Sequence, residues 1–524
     1  SRVRAAGRSG SGDDGRESSA MRVDGVGRVG WETAGMRAAR GRAGWKQYSN
    51  RRRRHMEPQA QGYAAVLDEG GIAVDGSEAA ACVQPRPLSG QDRCWARMDV
   101  PGQPMVVSLV LLLERPLTLE QVQSLLQARL LPLARFRQRV REVGGRPCWV
   151  EDGPLDWTAH LQTLRLSEPA DTHALQVLVG RWAGEPLPSD RPLWRCVLVE
   201  NVGSGSALVF RVHHCIADGV ALLRVFLALG DMPPGANRLQ WQHEQARLAA
   251  KTGHALLPPS GRWGRLRWFM ANAGALLRQL LLGPDTRTLL RGRLTGDKRV
   301  AWSAPIPLTA INAVRQHSGG RVNDVLLTVV AGALARYLRD RGARPPSALR
   351  LLVPVNLRPY QEEIRVDNEF GAVLLTLPLG MADPLARLAA LRVRMERIKG
   401  GPEMLANRLL LSVAGWLPAA VERLLLRGFG LKATAVLTNV PGPDQPLILA
   451  GVRVDRVLAW VPQIAGIGVG ISIFSYTGAI TVGVTSDSGV LADPHLLVAA
   501  IEAEWAALCA RLPAGARSRA AASP

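Results

Sequence analysis

The apolar residues of this chain follow two rhythms. Short unbroken runs read as buried strands, and longer stretches with apolar positions every three or four residues read as helices. Val106–Leu113 is unbroken apart from Ser108, and Leu119–Leu131 has helical spacing that ends at Pro132, whose ring cannot continue a helix. Arg135–Val140 enters another strand, Gln176–Trp182 and Arg195–Glu200 follow, and Ser206–Val212 is an apolar run that stops at two histidines. Residues 231–296 interrupt the pattern with Pro233-Pro234-Gly235, Pro258-Pro259 and Gly283-Pro284 in a basic, helix-leaning setting. Then the alternation restarts. Lys298–Ser303 is a strand, and Asn323-Asp324 caps a helix from Val325 to Arg339 whose nearly continuous apolar face predicts burial. Leu351–Val355 and Gly371–Pro378 are strands, Pro384–Lys399 and Met404–Leu426 are helices, and Val436–Pro443 is a strand running into a tight turn. Ile464–Ile473 and Ala479–Thr485 are the last strands, before a helix over Pro494–Leu512. Strands alternating with helices predict an α/β fold.

The same pattern divides the chain. Residues 1–80 are rich in Arg, Gly, Ser and Ala, lack a sustained apolar period and include Arg51-Arg52-Arg53-Arg54. Such a segment buries too little apolar surface to offset its ordering entropy, so it is expected to be a disordered basic extension. Residues 87–230 and 297–512 are expected to form two α/β halves, with a helical connector over 231–296 and a disordered tail at 513–524. Val457–Ser486 carries no charged residue and is long enough to span a bilayer. Its Gly, Ser and Thr content, Pro462 and the Tyr476-Thr477-Gly478 turn signal predict two buried strands instead.

Charge changes this picture modestly. Of the formal net charge of +21, residues 1–57 hold +8 (fourteen Lys/Arg against six Asp/Glu), which leaves +13 on the rest. Basic clefts attract coenzyme phosphates, anionic lipid headgroups or nucleic acid. No zinc-finger or RNP-like motif supports the last, so nucleic acid is not an expected partner. Six scattered cysteines without paired spacing fit a reducing, cytoplasmic compartment.

Candidate chemistry concentrates at Val212-His213-His214-Cys215-Ile216-Ala217-Asp218-Gly219. Neighbouring side chains on a strand point to opposite faces, so only one of the two histidines can face a given cavity, and the other serves the structure. Imidazole titrates near neutral pH and suits the role of general base. Asp218 and Gly219 add a carboxylate and a position without a side chain at the same turn. Paired histidines also occur as satisfied core residues or as metal ligands. Cys215 and Asp218 are donor types, yet the sequence holds no second cluster of such residues, so no metal is expected. Nor does it hold a Gly-x-Ser-x-Gly nucleophile elbow.

Pro192-Leu193-Trp194, His213-His214-Cys215-Ile216-Ala217-Asp218-Gly219, Asn323-Asp324-Val325, Val355-Asn356-Leu357-Arg358, Asn368-Glu369-Phe370-Gly371 and Thr438-Asn439-Val440-Pro441-Gly442-Pro443 stand in that order. In these pieces the chain resembles the bacterial wax ester synthase/acyl-CoA:diacylglycerol acyltransferase family. The histidine element alone is shared with a wider superfamily that includes peptide-synthetase condensation domains. The resemblance implies two similar mixed-sheet halves of the CoA-dependent acyltransferase type, meeting at a cleft that passes through the molecule. It implies acyl-CoA as co-substrate with no permanently bound cofactor, and diacylglycerol or a long-chain alcohol as acceptor. His214 is the implied general base, with direct attack of the alcohol on the thioester and no covalent intermediate. His213 is implied to be supporting, Gly219 to leave room for substrate, and Asp218 to be a structural carboxylate paired with an arginine, for which Arg137 and Arg139 are the candidates. Asn323 and Asp324 read as either a helix cap or a cleft-lining pair, with Asn356 and Arg358 as further cleft residues. Pro441-Gly442-Pro443 reads as shaping a crossover between halves. Leu88-Ser89-Gly90-Gln91-Asp92 matches the family's usual start imperfectly. The 404–426 helix and Trp268-Phe269-Met270 read either as peripheral contacts with a membrane or lipid-droplet surface, at the inner face of the membrane, or equally well as core packing. A stand-alone condensation-type enzyme using carrier-protein thioesters is the alternative function.

Overall fold

In the computed structural model of this chain, the described residues are 84–231, 261–356, 366–368, 370–398, 410 and 412–513. The segment expected to be a disordered extension, most of the tail, and residues 232–260 of the connector lie outside them.

The chain begins with β1 (Arg86–Pro87), α1 (Gly90–Met98), β2 (Val106–Leu113), α2 (Leu119–Arg129), β3 (Gln138–Val143) and β4 (Arg146–Glu151). It continues with α3 (Trp157–His160), β5 (Leu161–Arg165), α4 (Thr172–Gly184), β6 (Trp194–Val202), β7 (Gly205–His213) and α5 (Gly219–Ala228). After α6 (Arg262–Leu281) come β8 (Lys298–Trp302), β9 (Ile306–Pro307), α7 (Leu308–Ser318), α8 (Val322–Asp340), β10 (Leu349–Asn356), β11 (Phe370–Leu377) and α9 (Pro384–Ile398). The last elements are α10 (Ala419–Gly430), β12 (Ala435–Pro441), β13 (Ile448–Leu449), β14 (Val452–Trp460), β15 (Val469–Tyr476), β16 (Ala479–Asp487) and α11 (Pro494–Ala510).

Two mixed sheets carry the fold. One has the order β13-β14-β2-β7-β6-β5, the other β11-β10-β12-β15-β16-β8 with β9 beside β16, and β1-β4-β3 form a small separate sheet. β2 and β7 are buried along almost their whole length, which is why their sequences are continuous apolar runs and do not alternate. They pair antiparallel with Val106 opposite His213. α8 is buried on most of its circumference against α11 and α9. A Cβ at Gly332 on α8 would sit 2.0 Å from Arg387 and 2.1 Å from Glu504, so only glycine lets that buried ion pair lie across the helix.

The feature that most affects the site is a strand exchange. β12 belongs to the second sheet, the segment after Pro441-Gly442-Pro443 crosses over, and β13 and β14 complete the first sheet by pairing with β2. The hydrophobic pattern places residues 448–460 in the later half of the chain, yet they build the earlier sheet. The chargeless stretch before Asp487 is strand, as expected: the end of β14, then β15 and β16 joined at Thr477-Gly478, where both residues have positive φ. Among the described residues no helix is long and apolar enough to cross a membrane.

Three boundaries differ from the sequence reading. α8 begins at Val322, so Asn323 and Asp324 sit inside its first turn and not ahead of it. β15 starts at Val469, after the Ala465-Gly466 turn. The helix expected over 404–426 is not continuous: residues 399–409 lie outside the description, and α10 starts only after Pro418, which cannot donate to a preceding turn.

Candidate active site

His214 follows directly after β7, and its backbone N–H donates to Met105 O at 2.7 Å. Its side chain is buried, stacked on Trp95 of α1 with ring centroids 3.9 Å apart and planes 15° from parallel. Nδ1 lies 3.2 Å from Asn368 Oδ1. The other end of that amide is fixed, since Asn368 Nδ2 donates to Asp92 Oδ1 at 2.9 Å, His214 O at 2.9 Å and Cys215 O at 3.3 Å. Three acceptors around the nitrogen force Oδ1 toward the imidazole, so Nδ1 carries the proton and Nε2 the lone pair. Burial pushes the pKa of His214 down from 6.5 to about 4, although the Asp218 carboxylate attracts the charged form. The imidazole is therefore neutral at neutral pH.

His213 meets different chemistry. Its N–H donates to Leu193 O at 2.9 Å, so the Pro192-Leu193-Trp194 piece braces it. Its Nδ1 accepts the Cys215 N–H at 3.1 Å, and its Nε2 lies 3.8 Å from Asp99 Oδ2. Burial resists a charge on this ring and the Asp99 carboxylate favours one. With the Cys215 amide aimed at Nδ1, the proton sits on Nε2, toward Asp99.

Asp218 is the N-cap of α5. Its Oδ1 accepts from Val220 N at 3.1 Å and Ala221 N at 3.0 Å, which satisfies two of the helix's orphan donors. The arginine assignment needs correction. Arg137 pairs with Glu151 at 2.6 Å and Arg139 with Asp152 at 2.5 Å, and neither ion pair includes Asp218. The N-terminus of α5 presents its positive end to this carboxylate. A half-buried arginine near the site is Arg135, 3.8 Å from Asp92 and over the Trp149 ring at 4.2 Å. Burial raises the Asp92 pKa, while Asn368 and Arg135 act against that.

α1 therefore delivers two residues to the site, Asp92 and Trp95, from the element read as an imperfect family match. Ser89 caps this helix. Its packing depends on close backbone approach: a Cβ on Gly90 would lie 2.3 Å from Ser412 O, and one on Gly415 1.9 Å from Gly90 O.

Beyond Gly219 an apolar crevice opens, with about 680 Å³ of empty volume. It is lined by α5, β2, β12, β14 and β15, with Val107, Leu222, Phe226, Val440 and Phe474 among its walls. A Cβ on Gly219 would meet nothing within 4 Å, so the glycine keeps this entrance wide. His214 is not itself a wall residue. A second, smaller cavity of about 320 Å³ lies on the other face of β2 and is polar, with Lys298, Gln463 and Thr485. Strand alternation separates the two: Val107, Leu109 and Leu111 face the apolar crevice, Val106 and Ser108 the polar one.

The remaining candidates divide. Asp324 accepts the Arg321 N–H at 2.8 Å from the third helical position, a capping contact made from inside the helix. Asn323 is exposed and accepts from Asn439 Nδ2 at 2.7 Å, which ties the Asn-Asp piece to the strand end before Pro441. Asn356 ends β10 opposite Phe370, and Arg358 lies outside the described residues. Among the described residues no group of three or more His, Cys, Asp or Glu side chains could hold a metal ion. Sequence reasoning gave no site role to Asn368, Asp92 or Trp95. Asn368 was visible only as part of a motif.

Comparison with known proteins bears on the family. Residues 88–326 match the wax ester synthase/diacylglycerol acyltransferase catalytic domain, and residues 366–508 match the WS/DGAT C-terminal domain. A probable diacylglycerol O-acyltransferase of Mycobacterium tuberculosis is 28% identical over 413 residues, covering 75% of this chain and 88% of the relative. The wax ester synthase/diacylglycerol acyltransferase of Marinobacter aquaeolei superposes with a TM-score of 0.58 at 23% identity, over 80% of this chain and 98% of that one. The first condensation domain of the calcium-dependent antibiotic synthetase gives a TM-score of 0.52 at 17% identity, over 84% and 98%. At those identities the two structures speak to the fold. With both family domains matched in order, the chain belongs to the wax ester synthase/diacylglycerol acyltransferase family and is an acyltransferase.

Proposed function

We propose that this enzyme transfers a long-chain acyl group from acyl-CoA to the hydroxyl of diacylglycerol, with a long-chain alcohol as the other acceptor of the same chemistry, and that His214 is its general base. The observation that carries the reading is the neutral His214, proton on Nδ1 and lone pair on Nε2, next to the turn whose Gly219 opens into an apolar crevice. Nε2 takes the acceptor's hydroxyl proton as its oxygen attacks the thioester carbonyl. The tetrahedral intermediate collapses with cleavage of the C–S bond, and the imidazolium returns the proton to the CoA thiolate. Asp218 serves twice in this scheme, capping α5 and favouring the transient imidazolium. The crevice suits an alkyl chain because its walls are apolar and dry chains gain by burial there.

The reading includes work at a lipid surface from the cytoplasmic side. Its supports are the insolubility of both acceptors, the basic charge, and the free thiols Cys94, Cys148, Cys196, Cys215 and Cys509. The test is thin-layer analysis of labelled products from palmitoyl-CoA with dioleoylglycerol and with hexadecanol. Triacylglycerol as the main product is expected. Free fatty acid as the only labelled product would overturn the assignment.

A further inference from the structure

Helix α6 lies outside everything the chemistry uses and presents an unusual surface. At about 100° per residue its buried side is one stripe: Ala275 and Gln279 are buried, and Gly264, Trp268, Asn272 and Leu276 are half-buried. Lys432 holds the C-terminal end to the body by donating to Gln279 O and Leu280 O. The opposite side should be polar if it met only water. Instead it carries Trp263, Leu266, Met270, Leu277 and Leu281, with Trp263 79% and Leu281 75% exposed. These stand three, four, seven and four residues apart, all spacings that keep to one side of a helix, so they form a ridge along that side and not scattered exposed residues. Phe269, 62% exposed, widens it.

The charges identify what covers the ridge. Arg262, Arg265, Arg267 and Arg278 flank it on both sides, and the helix contains no Asp or Glu. A second copy of this chain docking the same face would bring two arginine rows together, an unfavourable isologous contact. An anionic phospholipid surface satisfies both features, since the ridge enters the acyl boundary and the arginines pair with headgroup phosphates. We propose that α6 is the membrane-docking element of this enzyme and lies in the plane of an anionic phospholipid bilayer. The inference deepens the reading of an enzyme that draws its acceptor from a lipid phase, and rests on it for its purpose but not for its test.

The test is sedimentation of the full chain with large vesicles of phosphatidylcholine, with and without phosphatidylglycerol, at low and high salt. Wild type should bind the anionic vesicles and keep part of that binding at high salt, because inserted side chains are not screened. Trp263→Ser/Met270→Ser/Leu277→Ser should lower the high-salt partition coefficient about tenfold or more. Arg262→Gln/Arg265→Gln/Arg267→Gln/Arg278→Gln should weaken binding at low salt and leave less dependence on phosphatidylglycerol. His214→Ala should bind vesicles like wild type while forming no ester, which separates a failure of docking from a failure of the catalytic reading. Unchanged high-salt binding of the serine variant overturns the proposal. So does a wild-type dimer in solution that the serine variant dissolves, because the ridge would then be covered by a second copy.

Discussion

His213 and His214 are neighbours in the chain, of one residue type, both buried, and the fold gives them opposite work. His213 is held by backbone from Leu193 and Cys215 and faces Asp99, so its nitrogens are committed to structure. His214 stacks on Trp95, donates through Nδ1 to Asn368, and keeps a basic nitrogen at the turn that opens into the apolar crevice. The cause is that His213 is the last residue of β7 and His214 the first of the turn after it, so the two side chains meet different neighbours. Residue type permits catalysis by either copy, and surroundings set the two apart.

The largest test of that contrast is the pair His214→Ala and His213→Ala. The first should lower kcat by about a thousandfold, within the range lost with a general base, and leave the thermal transition close to wild type. The second should lower stability first, read as a drop in Tm. A His214→Ala enzyme with near-full turnover breaks the comparison.

Acid should sharpen it next. His214 has a pKa of 6.5 in the unfolded chain and about 4 in the fold, so between these values the unfolded chain binds the extra proton. Stability from this group is fully present above pH 6.5 and falls as pH drops toward 4, by about 3 kcal/mol over the window. The base itself stays neutral, so kcat/KM should hold from neutral pH to about pH 5 while the protein remains folded. An acid limb centred on the ordinary imidazole value would show that the ring is not desolvated as described.

Asn368→Ala is expected to have a smaller effect. It leaves Asp92 and two backbone carbonyls without their donor, at about 1–3 kcal/mol of stability, and frees the His214 tautomer. A fall in kcat of about tenfold with little change in KM is the expected kinetic result. Asp218→Ala should cost about 1 kcal/mol, the usual loss of a cap, and Asp218→Asn should restore the cap but not the rate, because asparagine caps without charge. Equal rates for Asp218→Asn and wild type would confine Asp218 to capping. The smallest effect belongs to Arg137→Gln and Arg139→Gln, whose partly exposed pairs with Glu151 and Asp152 contribute within about 0–1 kcal/mol and should leave turnover unchanged.

Much of the first sheet was readable because its strands are buried on both faces: Val106–Leu113 and the run into His213 have no polar side to blur the signal. β14 was harder to see. Val452, Val454 and Val457 are buried while Arg453 and Asp455 are exposed, so it starts as an alternating strand beside a chargeless stretch. Its place in the other half's sheet is a crossover that no local period encodes. The choice of Arg137 and Arg139 for Asp218 failed for a related reason, because which carboxylate an arginine meets depends on tertiary placement, and part of what Asp218 accepts comes from backbone amides that carry no sequence label.

By itself the sequence determined the alternation of strands and helices, the two-histidine turn as the candidate seat of chemistry, and the family to which that turn and its companion motifs point. These are properties of local periodicity and of short contiguous motifs. Tertiary structure alone decided what surrounds the proposed base, by bringing Asn368 from 154 positions away and Trp95 from α1 against the His214 ring. It also decided that Asp218 is a cap and that one face of β2 meets an apolar crevice while the other meets a polar cavity. Hydrogen-bond partners and burial depend on which distant segments meet, and one strand's period cannot name them.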